Sequence, residues 1–200
     1  MAGTWTTQNK ILPGAYINFK TNSPLSITTN ERGTVVILQK FLNGNPHEIY
    51  EITATTQNYP RGVGQEKILL VNEALKGAKK VLLYNLGNND DITEDLNTAL
   101  STLKTVNFNV IAFPGVTEEQ KGVIKTWIES MRDEEGIKVQ GVFANFQGDH
   151  ESIINVVQGI TLSNGTSLTD EQVTAYVAGI TAGAAINKSN TGLKYEGAID

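Results

Sequence analysis

The run Thr34-Val35-Val36-Ile37-Leu38 is β-branched or aliphatic at every position, with no polar residue interleaved. A strand covered on one face alternates, whereas one covered on both faces reads as a continuous apolar run. Three similar runs follow: Val81-Leu82-Leu83-Tyr84, Asn109-Val110-Ile111-Ala112-Phe113 and Val139-Gln140-Gly141-Val142-Phe143-Ala144. Helical patterns separate them. Gly64 to Lys76 carries Ile68, Val71 and Leu75 at helical spacing, with Gly77 as its stop. Thr93 to Val106 presents Leu96, Leu100 and Leu103, with Thr93 as N-cap. Thr117 to Glu135 opens with the capping box Thr117-Glu118-Glu119-Gln120 and carries Val123, Ile124, Trp127, Ile128 and Met131. Buried strands joined by helices of this length imply crossovers and a mostly parallel sheet. The expectation is an α/β fold, a three-layer domain over Gly33 to Val157.

Beyond that core, Asn164-Gly165 between two short apolar runs predicts a hairpin with a type I′ turn. Thr169-Asp170-Glu171-Gln172 then opens a helix reaching Ile186. Its face of Ala175, Ala178, Gly179, Ala182 and Gly183 is too small to fill space and predicts close approach by another element. Each end of the chain carries an orphan. Ala15-Tyr16-Ile17-Asn18-Phe19-Lys20 alternates like a strand between Pro13 and Pro24, and Leu193 to Ile199 alternates with no partner following. A lone strand leaves its main-chain donors and acceptors open, so each needs a partner elsewhere, in this chain or another.

Composition excludes several classes of function. The 200 residues are 40% hydrophobic and 18% charged and contain no cysteine, which removes disulfides, thiolate metal sites and thiol catalysis. His47 and His150 are the two histidines, and the net charge is −5, against a general nucleic-acid binder. The first ten residues lack a basic stretch leading into an apolar one, so no cleaved secretion signal is expected. No apolar run reaches the length of a membrane span. Asn164-Gly165-Thr166 and Asn187-Lys188-Ser189 match the glycosylation sequon and are read as coincidence.

The loops yield no catalytic constellation. Arg61-Gly62-Val63-Gly64 opens a helix and could offer amides to a phosphate, but it follows Asn58-Tyr59-Pro60 rather than a strand. Gly179 to Ser189 ends in Lys188-Ser189, with Asn187 where a phosphate loop needs glycine. Asp149-His150-Glu151 clusters a base with carboxylates, but adjacent residues do not face one another, and Asp149 reads better as the N-cap of a helix over Ser152 to Val157. His47 reads as a solvated loop residue and Asn88-Asn89-Asp90-Asp91 as a polar loop. No Gly-x-Ser-x-Gly elbow is present. Neither a cofactor nor a metal is expected.

The order of phrases along the chain is more specific than any one of them. Trp5-x4-Lys10-x2-Pro13-Gly14-x-Tyr16-Ile17-Asn18-Phe19 is followed by Glu31-Arg32-Gly33 at the first buried strand. Then come Gly159-x-x-Leu162-x-Asn164-Gly165-x-x-Leu168-Thr169, Ala175-Tyr176-Val177-Ala178-Gly179-x3-Gly183 and Asn187-x-Ser189-x-Thr191-x3-Tyr195-x-Gly197-Ala198. This series resembles the tail sheath proteins of contractile bacteriophages and of phage-tail-like bacteriocin particles, in the form typical of Gram-positive hosts.

The resemblance implies a non-enzymatic subunit that builds a helical tube around an inner tail tube and contracts to drive that tube through a cell envelope. It implies residence in a virion tail or tail-like particle assembled in the bacterial cytoplasm, with no nucleic-acid partner and no membrane insertion. Extended arms would tie subunits together by strand addition, a role that falls on Tyr16, Ile17, Asn18, Phe19 and Lys20. Family members continue past the position matching Asp200 into a domain that receives the arms and meets the inner tube and the baseplate. Residues 1–32 are then an extended N-terminal arm, 33–157 the α/β sheath domain, and 158–200 a hairpin, a helix and the start of a truncated C-terminal domain. Tyr195, Glu196, Gly197, Ala198 and Ile199 form that domain's first strand on this reading. The rival, a small-ligand or nucleotide-binding α/β enzyme, rests on the parallel sheet alone, and a fold does not carry a function.

Overall fold

The computed structural model describes residues 32–185 and 187–199. The apolar run forms β1 (Thr34–Gln39), and all six of its residues are buried. It is a central strand, with parallel neighbours β3 (Lys80–Asn85) on one side and β4 (Val110–Ala112) on the other. Asn109, just before β4, ties that strand to the start of β1, its Oδ1 accepting from the amides of Gly33 and Thr34. Outside β4 lie β5 (Gln140–Ala144) and β6 (Ile153–Val156), also parallel, while β2 (Ile49–Thr53) runs antiparallel along β3. The sheet order is β2-β3-β1-β4-β5-β6. Its five parallel strands are doubly wound, with the reversal of winding between β1 and β4.

Helices cover both faces. α1 (Gln65–Leu75) and α4 (Asp170–Gly183) pack against Val35, Ile37, Val81 and Leu83. α2 (Thr93–Leu103) and α3 (Glu118–Asp133) pack against Val36, Leu38, Leu82 and Tyr84. The fold is the three-layer α/β architecture read from the sequence. The sequence reading places a division after Val157, whereas α4 lies against β1, β4 and β5 and shares the core cluster of α1.

The small face of α4 meets backbone. A Cβ on Gly179 would collide with the Ala74 carbonyl, one on Gly183 with the Gly77 carbonyl, and one on Gly77 would lie 2.6 Å from the Ile180 Cα. The capping boxes at Thr117–Gln120 and Thr169–Gln172 both form as the sequence predicts. β7 (Ile160–Thr161) and β8 (Ser167–Leu168) make the hairpin.

Several local expectations are corrected. Ser152 to Val157 is not a helix capped by Asp149 but contains the strand β6, because Ile153, Ile154 and Val156 are β-branched and the open edge of β5 accepts their main chain. α1 is rotated from its expected stripe: Leu70, Val71 and Ala74 are buried, while Ile68 and Leu75 are half-buried. α2 starts beneath Asp91 rather than under a Thr93 cap, with Asp91 Oδ1 accepting from the Thr93 amide (2.9 Å) and hydroxyl (2.7 Å). Those two bonds hold the Asp91 carboxyl below the usual range. The hairpin turn is not type I′. Gly165 alone has positive φ (+82°), and its amide donates to the Leu162 carbonyl, as in a type I turn followed by a left-handed glycine.

Candidate functional site

In a doubly wound sheet a ligand would sit beyond the carboxyl ends of the strands, where the winding reverses. Here that position is crossed by internal bonds. Gln39, the last residue of β1, donates through Nε2 to the Pro114 carbonyl (3.3 Å) beyond β4, and Lys67 Nζ donates to Gln39 Oε1 (3.4 Å). Burial lowers the Lys67 pKa. Alongside, Glu171 of α4 accepts from the Gly115 amide (3.1 Å) and lies 3.5 Å from Lys121 Nζ. The Lys121 ammonium is buried and donates to the Ala144 carbonyl (2.6 Å) at the end of β5. Among these groups the hydrogen-bonding capacity faces other parts of the scaffold. The Arg61-Gly62-Val63-Gly64 loop is likewise structural: Gly62 has φ +76°, and a Cβ there would strike the Asn43 side-chain amide.

His47 is only partly solvated rather than free in a loop, with 36% of its side chain exposed. It has φ +64°, its amide donates to the Asn85 carbonyl (2.7 Å), and its Nε2 lies 3.2 Å from Asp95 Oδ1. Its Nδ1 lies 3.4 Å from the hydroxyl of the fully buried Tyr84. Nothing in the segment around His47 signals this, because both partners come from distant parts of the sequence. Asp149, with φ +39°, His150 and Glu151 line the outer loop between β5 and β6. His150 Nδ1 accepts from the Ser152 amide (3.2 Å), and Glu151 pairs with Arg132. The three residues are thus used separately, in turn formation and an ion pair. Among the described residues no group of three or more histidine or acidic side chains is arranged to hold a metal.

The most elaborate polar cluster lies where the carboxyl-terminal segment meets α1 and α4. Tyr195 stacks on Tyr176 of α4, with ring centroids 3.6 Å apart and planes 20° from parallel. The Tyr195 hydroxyl donates to Glu73 Oε2 (2.6 Å), and the buried Glu73 carboxylate pairs with Lys76 Nζ at 2.7 Å. Burial, and then the Glu73 carboxylate, push the Tyr195 phenol far above its ordinary value. Lys76 Nζ also donates to the Glu196 carbonyl (3.3 Å) and lies 5.5 Å from the Tyr195 ring centroid. The Glu196 amide donates to the Tyr176 hydroxyl (3.0 Å), which in turn donates to the Lys194 carbonyl (3.4 Å).

The two sets of expected arm and strand residues fare differently. Tyr16 to Lys20 lie outside the described residues. Tyr195 to Ile199 do not form a strand. Glu196 and Gly197 make a turn, with the Ala198 amide donating to the Tyr195 carbonyl (3.2 Å), and Ala198 makes one isolated antiparallel bridge to Leu162 beside β7. The left-handed Gly197 (φ +84°) breaks the alternation that the sequence suggested. The cluster around Tyr195 was not legible, because Glu73 and Lys76 are more than a hundred residues away in the sequence.

Comparison with known proteins gives this scaffold a family. Residues 89–200 match the phage tail sheath protein central domain, and residues 32–86 match the N-terminal region of domain III of the tail sheath protein Gp18. The two matched stretches build a single sheet, since β1 from one pairs with β4 from the other. The chain is 40% identical over 129 residues to the phage-like element PBSX protein XkdK of Bacillus subtilis, covering 64% of this chain and 28% of that protein. It is 28% identical over 180 residues to the tail sheath protein of Clostridium phage phiCD119, covering 88% and 49%. The match therefore spans about a quarter to a half of the length of these curated relatives. Among solved structures, the sheath tail protein of Desulfitobacterium hafniense superposes with a TM-score of 0.77 at 26% identity, covering 94% of this chain and 66% of that one. The helical sheath of the anti-feeding prophage in its contracted state shares the fold, with a TM-score of 0.54 at 17% identity, covering 86% and 52%. On these matches, the chain belongs to the phage tail sheath protein family.

Proposed function

We propose that this chain is a structural subunit of a contractile tail sheath, assembling with copies of itself into a helical tube around an inner tail tube. The match of more than half the chain to the sheath central domain carries this reading. The likeness to a sheath whose solved structure is of the contracted state agrees with it. Contraction of the tube would drive the inner tube through a cell envelope. The subunit works without catalysis or a cofactor, in keeping with the internal bonds that cross the sheet's switch point. Its place is a virion tail or tail-like particle, assembled in the bacterial cytoplasm.

Residues 1–32 serve as an extended arm, and Tyr16 to Lys20 add a strand to a neighbouring subunit. Main-chain bonds would supply the affinity of that contact and alternate side chains its register. Contacts with the inner tube and the baseplate belong to a further domain, in keeping with the greater length of the relatives. The test is negative-stain electron microscopy of the protein expressed from its complete reading frame. Helical tubes of constant diameter are expected. A monodisperse monomer, stabilised saturably by a nucleotide and losing that stabilisation when Gly62 and Gly64 are replaced, would favour a ligand-binding enzyme instead.

A further inference from the structure

We infer that Tyr195, Tyr176, Glu73 and Lys76 form a clip that fixes the heading of the chain as it passes residue 199, and that this clip, rather than strand pairing, holds residues 193–199 on the α/β unit. The main-chain contribution is small. The Ser163 amide donates to the Gly197 carbonyl (2.8 Å) and the Ile199 amide to the Thr161 carbonyl (2.9 Å), around one bridge. So short a pairing at an edge opens readily by itself. Apolar burial in the segment is concentrated in the Tyr195 ring, which packs against the core beside Tyr176, since Leu193 and Ile199 are 55% and 58% exposed.

The clip grips three consecutive residues, Lys194, Tyr195 and Glu196, with Glu73 of α1, Lys76 at its C-cap and Tyr176 of α4. Glu73 is the informative member. A buried carboxylate is unfavourable without partners. Its partners are Lys76 at the C-cap of its own helix and the Tyr195 phenol from the segment, so the carboxylate is fully served only while the segment is docked. The platform beneath is stiff, because Gly179 and Gly183 seat α4 directly on the backbone of α1 and its following turn. Side chains from two locked helices therefore set the direction of the segment relative to the sheet.

Tyr195 and Glu73 are positioning residues in this scheme. The inference rests on the sheath reading only for its use: domains that turn against one another in a tube need a chain that leaves each of them at a fixed point.

The experiment is amide hydrogen exchange on the 200-residue protein, which does not depend on whether it polymerises. In Tyr195→Ala the amides of Glu196, Ala198, Ile199 and Ser163 are expected to exchange at least tenfold faster, with β1 and β3 unchanged. Tyr195→Phe keeps the ring stack and loses the phenol, so its rates should fall between those of wild type and Tyr195→Ala. Unchanged exchange of those four amides in Tyr195→Ala overturns the clip. A uniform rise across the whole sheet overturns it too, because Tyr195 would then be an ordinary core residue. Failure of the protein to form tubes would count against the sheath function and leave this result standing.

Discussion

α1 and α4 meet backbone to backbone on one face of the sheet, whereas α2 and α3 cover the other through large side chains. On the first face the contact residues are Ala74, Gly77, Ala178, Gly179, Ala182 and Gly183, and the helices are as close as main chains allow. On the second, Leu96, Leu100, Leu103, Ile124, Ile128 and Met131 fill the space together with Phe108, Phe113 and Phe143. Cores of large side chains can repack around a lost methyl group, while two backbones in contact have nothing to move. The tight face is also the one that carries the carboxyl-terminal clip. A backbone-to-backbone platform therefore lies under the segment that the clip holds.

The largest effect is expected where a side chain is forced into the tight face. Gly179→Val must push α4 off the Ala74 carbonyl, and the variant should lose cooperative thermal unfolding altogether, as read by calorimetry. A protein that still melts cooperatively near the wild-type temperature would break the contrast between the faces. Next is Ile128→Ala on the loose face, which removes a fully buried side chain and should cost about 2–4 kcal/mol in denaturant unfolding while leaving a folded protein.

Tyr195→Phe comes third. Loss of a hydrogen bond to a buried carboxylate should cost about 1.5–3 kcal/mol. Its pH dependence has a definite sign. The phenol's folded-state pKa lies above the unfolded value of 10.0, so its contribution is complete below pH 10 and is lost as the pH rises beyond it. Stability against denaturant should therefore decline above about pH 10, and less steeply in Tyr195→Phe, with Tyr50, Tyr59 and Tyr84, also raised by burial, accounting for the remainder. An equally steep decline in the variant would remove Tyr195 from the explanation.

The smallest effects should be equal. Thr117→Ala opens the capping box of a loose-face helix and Thr169→Ala that of a tight-face helix, each at a cost of about 1 kcal/mol. A clear difference between the two in chemical denaturation would show that the packing beneath a helix tunes its cap.

The parallel sheet, the four helices of the described residues and both capping boxes were legible because each is written locally: apolar runs for buried strands, Thr-x-x-Gln for helix starts, small residues for a close crossing. β2 was not, because Ile49-Tyr50-Glu51-Ile52-Thr53 is a short strand whose ladder among the described residues is with β3, distant in the sequence. β6 was misread because Asp149 resembles a cap, whereas the free edge of β5 decided the outcome. The same limit hides the Tyr195 cluster. Tyr195 and Tyr176 stand in the phrases that carry the family resemblance, but Glu73 and Lys76, which give those rings their partners, stand in an ordinary amphipathic helix. Sequence periodicity shows which face is buried, but it does not show which polar group across the core will answer another.

Cryo-electron microscopy of the assembled tube, with the main chain traced through residues 16–20, tests the central claim most directly. The account predicts a strand at Tyr16 to Lys20 hydrogen-bonded to a sheet of a neighbouring subunit. A strand paired within its own subunit, or a particle with no subunit-to-subunit strand addition, would contradict it.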